Sequence, residues 1–451
     1  MVRLLFFGSV LSFASAAMAV NDICLPSALW MLSDVQNDIF VQPMIRRWRP
    51  YDDFVRFSLE DGKVGFSRRL SRVASVTRPV EGAVLKVDLI NGDEFETVKT
   101  LKSVLHVGKR GVGDKDVYAQ IIGDSYTHGN FFKTALLDKG YVPKLHLVGL
   151  RKCAEGQYHE GRGGWALQQY FTVPKDVYLA YHGFLHPDDG RYWGDARFWK
   201  MAWRCVRRTQ PAGFEPYYSC SLYDDCVTRF DENSGMLCSP QAGDYQIEDE
   251  NRRMVRFDGK SWNPVDEKAL KWQFDYGKYL AMWQVTPPQF VFVLLGLNDF
   301  RYDIKSDFSE WGHRIETMKD SYLKACPNGR FVICIPCSTC GSIDNVAGDF
   351  TPYQDAAMWR FRDWLIRTFD GREGDGFYLL DAGIGIDAEC GYRFDSGAQT
   401  LPHENCTNGV YRIQRGTPHP YFSYPSMGIP FAAFIQYYRE ESVAVRSGDA
   451  H

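Results

Sequence analysis

Residues 119–129 read AQIIGDSYTHG. The run from Val117 to Ile122 has the length and apolar character of a strand covered on both faces. It meets Gly123, then Asp124 and Ser125, then a segment of helical character. A serine at such a turn is either a helix cap or an exposed nucleophile. Which of the two Ser125 is depends on what else the chain brings to the same sheet edge.

Four further apolar runs match the first: KLHLVGL (144–150), FVFVLLG (290–296), RFVICIP (330–336) and FYLLDAG (377–383). Helical patterns alternate with them. FFKTALLDKG predicts an amphipathic helix ending at Gly140, and DFSEWGHRIETMKDSYLKA, QDAAMWRFRDWLIRTF and IPFAAFIQYY predict three more. Strands alternating with helices predict an α/β unit with a parallel sheet. The stretch from Ala166 to Thr286 breaks this rhythm and reads as a long insertion, too aromatic to be disordered. Of its aromatics, Tyr192, Trp193, Trp199 and Trp203 are expected mostly in the core, with one or two lining a cleft. Upstream, AVLKVDLI (83–90) runs into Asn91-Gly92, a type I′ hairpin signal, and alternation resumes in DEFETVKTL. The expected organisation is a leader (1–19), a small β-sandwich-like unit (20–115), an α/β unit (116–440) with its insertion at about 166–286, and a tail (441–451). Lys109 to Asp114 reads as the linker.

At 451 residues the chain exceeds one typical domain. A formal net charge of −4 gives no electrostatic footprint for nucleic acid, so that class of partner is set aside. Met1-Val2-Arg3 is followed by LLFFGSVLSFASAAMA, which has the pattern of a secretory leader cleaved after Ala19. Its apolar run lacks a basic stop-transfer flank, and no later segment has the length and apolarity to span a bilayer. A secreted or periplasmic protein is therefore expected. Export would let some of the 12 cysteines pair; Cys220, Cys226 and Cys238 cluster, and Cys390 and Cys406 flank another loop, with connectivity open. Asn405-Cys406-Thr407 fits a glycosylation sequon. Cys334-x-x-Cys337-x-x-Cys340 begins like an iron–sulfur run, but Asp344 stands where the fourth cysteine belongs. Cys334 is expected in the core, and Cys337 and Cys340 as disulfide partners.

In an open parallel sheet, ligands bind outside the carboxyl ends of the strands. Those positions carry Gly123-Asp124-Ser125, then EGRGGWAL (160–167), then Gly296-Leu297-Asn298-Asp299; near the C-terminus comes Thr417-Pro418-His419-Pro420. Together they supply what acyl transfer needs. Ser125 is a nucleophile, and His419 a base to activate it. The N–H groups of Ser125 and Gly164 and the Asn298 amide are donors for an oxyanion. Glycine at 164 would let backbone approach a ligand closely, and Gly163 competes for the same role. His403 competes with His419, and His128 is expected to line the pocket.

These blocks, IIGDSYTHG, EGRGGWAL, LLGLND and PHPYFSYPSMG, resemble those of the SGNH (GDSL-type) hydrolase family over roughly residues 117–440. The LPSALWML and FVRFS segments are more loosely similar to the β-sandwich that precedes such domains in some exported bacterial esterases. The resemblance implies a flavodoxin-like three-layer α/β/α fold and ester hydrolysis through an acyl-serine. It implies Ser125 as nucleophile, His419 as base, Gly164 and Asn298 completing the oxyanion hole, and no metal or organic cofactor. With the export leader and the aromatic insertion, it points to O-acetyl groups on carbohydrate, or another small ester, as substrate. Two departures stand out. The family's Asp three residues before the histidine is Gly416 here, and its following glycine comes late, at Gly428. A backbone carbonyl or a distant acid, Asp381 or Asp387, would then have to orient His419. A glycan-binding protein on a decayed esterase scaffold, or an O-acyltransferase, is compatible with the same residues.

Overall fold

The computed structural model describes residues 22–46, 53–60, 66, 68–70, 72–91, 95–172, 183–195, 240–248, 253–301, 303, 305–337, 352–387, 400–402, 410–412, 419–420 and 423–448. The leader, Trp199, Trp203, Cys205, Cys220, Cys226, Cys238, Cys340, Cys390, His403, Asn405, Cys406 and Gly416 lie outside the described residues, as does the side chain of Trp193.

Seven strands form the N-terminal unit: β1 (Ala28–Leu32), β2 (Asn37–Phe40), β3 (Asp53–Leu59), β4 (Arg68–Leu70), β5 (Val73–Val76), β6 (Val84–Asn91) and β7 (Thr97–Gly108). They make two sheets, ordered β1-β7-β6-β3 and β2-β5-β4. The period-2 alternation of β6 sends Leu85, Val87 and Leu89 into a core shared with Phe57, Ala74, Val76 and Leu105. The Asn91-Gly92 expectation needs correction. Ile90 pairs with Thr97, and Asn91 N–H donates to Glu96 O at 2.9 Å, so the turn is longer than a two-residue type I′ hairpin.

The second unit opens with β8 (Val117–Gly123) and α1 (Ser125–His128), followed by β9 (Leu145–Leu147), β10 (Arg151–Ala154) and β11 (Gln157–Gly161). Thr134–Asp138, expected as part of an ordinary helix, is instead a single π-helical turn that stops before Gly140 at φ +60°. Within the insertion lie β12 (Leu185–Pro187), β13 (Tyr192–Asp195), β14 (Tyr245–Ile247), β15 (Met254–Phe257), β16 (Trp262–Pro264), β17 (Trp272–Phe274) and the helix α2 (Tyr276–Trp283). Then come β18 (Phe290–Leu294), α3 (Leu297–Phe300), α4 (Ser309–Ala325), β19 (Arg330–Ile335), α5 (Pro352–Phe369), β20 (Phe377–Asp381) and α6 (Tyr424–Gly448). The last helix carries on through most of the stretch expected as a tail.

The main sheet runs β10-β11-β8-β18-β19-β20, with β9 also beside β8. Every pair in it is parallel except β10 with β11. The chain is thus mixed α/β with a parallel sheet; β18 is buried along its whole length, and β8 everywhere but at Tyr118. From β8 the chain first builds one side of the sheet and then crosses to β18 on the other. The strand order therefore reverses at β8 and β18, and in an open parallel sheet ligands bind beyond the carboxyl ends of such strands.

The insertion packs onto this sheet through aromatics. Phe184 stacks on Tyr279 with ring centroids 4.0 Å apart, and Gln120 of β8 accepts from Tyr276 Oη at 2.5 Å and donates to Tyr279 Oη at 3.0 Å. Tyr192 is buried edge-on against Trp272 and belongs to the core, not to a cleft. The thiols of Cys24, Cys326 and Cys334 are buried and unbridged. Cys337 Sγ lies 2.9 Å from Tyr126 Oη, and its expected partner Cys340 is outside the described residues.

The two units are joined by more than chain. Trp30 of β1 packs on Phe434 of α6 at 5.1 Å, and Arg72 pairs with Asp387 at 2.7 Å, both side chains buried. Trp359 Nε1 donates to Met44 O at 2.8 Å. The Lys109–Asp114 linker is held by Gln436, whose Nε2 donates to Lys109 O at 2.6 Å and Val112 O at 2.9 Å. No helix among the described residues is long and apolar enough to cross a membrane.

Candidate active site

The turn after β8 is fixed by its neighbours. A side chain at Gly123 would collide with Thr127 and with Leu294 O of β18, so only glycine lets the chain turn there. Gly123 O accepts from Arg162 N at 2.9 Å and lies 3.1 Å from Tyr170 Oη. Asp124 then caps α1, its Oδ1 accepting from Tyr126 N at 2.9 Å. The capping role raised for Ser125 is thus filled by Asp124. Ser125 is the first helical residue and is half-buried, its side chain left for other work.

The three sheet-edge blocks meet here. From α3, Asn298 Nδ2 donates to Trp165 O at 3.0 Å and reaches Asp124 Oδ2 at 3.4 Å. Beside it, Asp299 Oδ1 accepts from Leu167 N at 2.9 Å. One asparagine amide thereby ties the Gly-Asp-Ser turn to the Gly-Gly-Trp turn. Gly164 is exposed, at φ +76°, with no atom within 4 Å of where a Cβ would stand. That changes the reason for glycine: the backbone conformation demands it, while the space beyond is open. Gly163 lies alongside His128, a Cβ there falling 3.9 Å from His128 Cδ2.

This turn rests on a buried polar network that sequence reasoning did not find. Glu160, fully buried, accepts from Leu150 N at 2.7 Å, from Tyr279 Oη at 2.6 Å and from Arg162 at 2.7 Å. Arg162 lies 5.2 Å over the Trp165 ring and 5.9 Å from that of Tyr170. The segment carrying Gly163 and Gly164 is anchored on both sides.

His419 lies at the same edge, its ring edge-on to Tyr126 with centroids 5.3 Å apart. Burial, reinforced by the Arg301 charge and by His128 when that ring is protonated, holds its imidazole down at about 4, so it is neutral at pH 7. His128 is likewise pushed down to about 4 by burial, with Arg151 and Arg162 adding to it. Burial pushes the Asp124 carboxyl up to about 7 and that of Asp299 up to about 6, and the Asp299 charge adds to the shift on Asp124. The acids considered for orienting His419 are engaged elsewhere. Asp381 is gripped by Arg362, and Asp387 by both guanidinium nitrogens of Arg72 at 2.7 and 3.1 Å. What stands 2.9 Å from His419 Nδ1 is the hydroxyl of Tyr424, from the start of α6. The sequence carried no signal for it, because a tyrosine five residues on has no fixed relation to a histidine outside a helix.

No family model matches the chain, and no curated protein matches it. Among solved structures, one is 13% identical and aligns with 72% of this chain and 99% of its own, at a TM-score of 0.28. Another, the Bacillus subtilis protein YxiM, is 9% identical and aligns with 92% of this chain and 79% of its own, at a TM-score of 0.22. Overlaps this slight do not define a shared fold.

Proposed function

We propose that the chain is an exported serine esterase of SGNH type, with a flavodoxin-like three-layer fold, that removes O-acetyl groups from carbohydrate. One observation carries the reading: Asn298 links the Ser125 turn to the Gly164 turn at the point where strand order reverses, with a neutral histidine against Tyr126. An acyl-transfer site needs those parts at one edge.

In this reading Ser125 Oγ attacks the ester carbonyl while His419 takes its proton. The developing oxyanion is met by the N–H groups of Ser125 and Gly164 and by the Asn298 amide, which gives up its long 3.4 Å contact with Asp124 Oδ2 to do so. The alcohol leaves with the proton from His419. Water, deprotonated by the same imidazole, then cleaves the acyl-serine and releases acetate and free serine. A neutral imidazole at pH 7 is the form this chemistry uses. No metal or organic cofactor is called for in any step. The substrate class rests on the leader and the aromatic insertion.

The test is acetate release from an acetylated glycan by wild type and Ser125→Ala. The expected result is loss of release in the variant; equal release by both would sink the assignment. The hydroxyl of Tyr424 at His419 Nδ1, with Gly416 where the family has an aspartate, favours a second reading, a glycan-binding protein on the same scaffold. A wild type that binds glycan but is not labelled at Ser125 by a fluorophosphonate would favour that second reading.

A further inference from the structure

The esterase reading leaves one part unassigned: whatever holds the imidazole of His419. We propose that Tyr424 is a positioning residue that does the work of the missing acid, its Oη accepting the Nδ1–H of His419 so that Nε2 presents its lone pair. The inference rests on that reading of Ser125 and His419.

Three observations support it. The Tyr424 Oη to His419 Nδ1 distance is 2.9 Å, and Tyr424 is buried, 7% exposed. A buried imidazole with Nδ1 tied to a fixed oxygen is locked in both tautomer and orientation. Second, room for this hydroxyl is made by the Ser125 motif itself. A Cβ on Gly129 would stand 3.2 Å from Tyr424 Oη and 3.1 Å from Ser125 O. Gly129 has an ordinary φ of −74°, so close approach, not backbone strain, is what calls for glycine there. Gly129 N–H in turn donates to Ser125 O at 2.8 Å, so the tyrosine seats on the turn that carries the serine. Third, the two carboxylates considered for this role, Asp381 and Asp387, are already paired with Arg362 and Arg72.

A phenol differs from a carboxylate in a way that can be measured. An aspartate stabilises the imidazolium by charge; a neutral hydroxyl does so only by accepting a hydrogen bond. The titratable and charged groups facing His419 are His128, from the end of α1, and Arg301, just after α3; Arg301 opposes its protonation throughout, and His128 does so once it is itself protonated. Tyr126 and Tyr424 are the neutral neighbours. The site would therefore keep a base that stays unprotonated well into acid.

The experiment uses the full chain, the Tyr424→Phe variant and the milder Gly129→Ala variant, with unfolding curves confirming that each is folded. Fluorophosphonate labelling of Ser125 is followed against pH, and ¹⁵N shifts of the His419 ring are recorded. Tyr424→Phe is expected to slow labelling about tenfold, the worth of one neutral hydrogen bond to an oriented group. Its acidic limb should move to lower pH, because the imidazolium loses an acceptor. Gly129→Ala, which displaces the hydroxyl without removing it, should shift the limb in the same direction by less. The ring spectrum of wild type should show Nδ1 protonated and Nε2 bare, and that preference should weaken in Tyr424→Phe. A wild-type ring with bare Nδ1, or an unchanged rate and acidic limb in folded Tyr424→Phe, overturns the assignment to Tyr424. A wild type that is never labelled overturns the esterase reading instead, and the ring spectrum still decides whether the hydrogen bond exists.

Discussion

Replacing Glu160 by Gln tests whether the Gly164 turn is held by the buried ion pair beneath it. In the wild type one carboxylate oxygen accepts from Leu150 N and Tyr279 Oη, and the other faces Arg162 NH1 at 2.7 Å. An amide can keep the first set through its carbonyl oxygen. Its NH₂ then points at a guanidinium that is also a donor, with both groups almost wholly buried. Breaking a buried pair from one side costs about 3–5 kcal/mol, because a desolvated charge is left without its partner. Removing both charges with Glu160→Gln and Arg162→Met together should recover part of that cost, a coupling on the order of 1–3 kcal/mol. The assay is urea unfolding followed by tryptophan fluorescence on wild type, both single variants and the double variant. Labelling at Ser125 should fall in the Glu160→Gln protein, since Gly163 and Gly164 directly follow Arg162. A cost under about 1 kcal/mol for Glu160→Gln, or single effects that simply add, would refute this account of the network.

Asp124 gives a pH test. Its folded value, about 7, lies above the 3.8 of an ordinary aspartate, so its contribution to stability is full below pH 4 and is lost as pH rises toward 7. Unfolding free energies at pH 5 and pH 8 should differ by a few kcal/mol less in Asp124→Asn, on the order of 2–4 kcal/mol; an equal difference in both proteins would rule the carboxyl out as the source. Gly164→Ala should lower stability by about 1 kcal/mol, the left-handed backbone penalty without a clash, read from the urea midpoint. Phe434→Ala should cost about 3–5 kcal/mol, and a chain lacking residues 22–108 should fail to give a folded α/β unit by circular dichroism, because Trp30 and Leu32 belong to the main core.

How much of this was legible in the sequence follows from where charge is buried. The strands Phe290–Leu294 and Arg330–Ile335 announce themselves as apolar runs because both of their faces are covered. Gln157–Gly161 does not, although it lies beside β8 and leads directly into the Gly164 turn. Its buried positions are His159, Glu160 and Gly161, made tolerable by Gly161 N–H, which donates to His159 Nδ1, by Arg162 just beyond the strand and by Tyr279 from far along the chain. No apolar periodicity reveals a strand whose buried positions are polar and satisfied in this way. Thr134–Asp138 had the spacing of an α-helix, but the chain forms a π turn there before it ends at Gly140. The Gly-Asp-Ser and Leu-Asn-Asp turns were readable because each closes an apolar strand; the Gly-Gly-Trp turn was placed only by its order among the blocks. The contact of His419 with Tyr424 was not, because His419 lies outside the helix that Tyr424 begins, and no spacing rule links the two.

The packing of Trp30 against Phe434 also sets an order of events. Strand β1 is covered by α6, so the contact joins residues far apart in the chain, and closing so long a loop is slow compared with local structure. As the polypeptide is made, Trp30 emerges long before Phe434, the residue of α6 that packs on it. The core that the two residues share cannot close until α6 has been made. That delay is written into the connectivity of the chain.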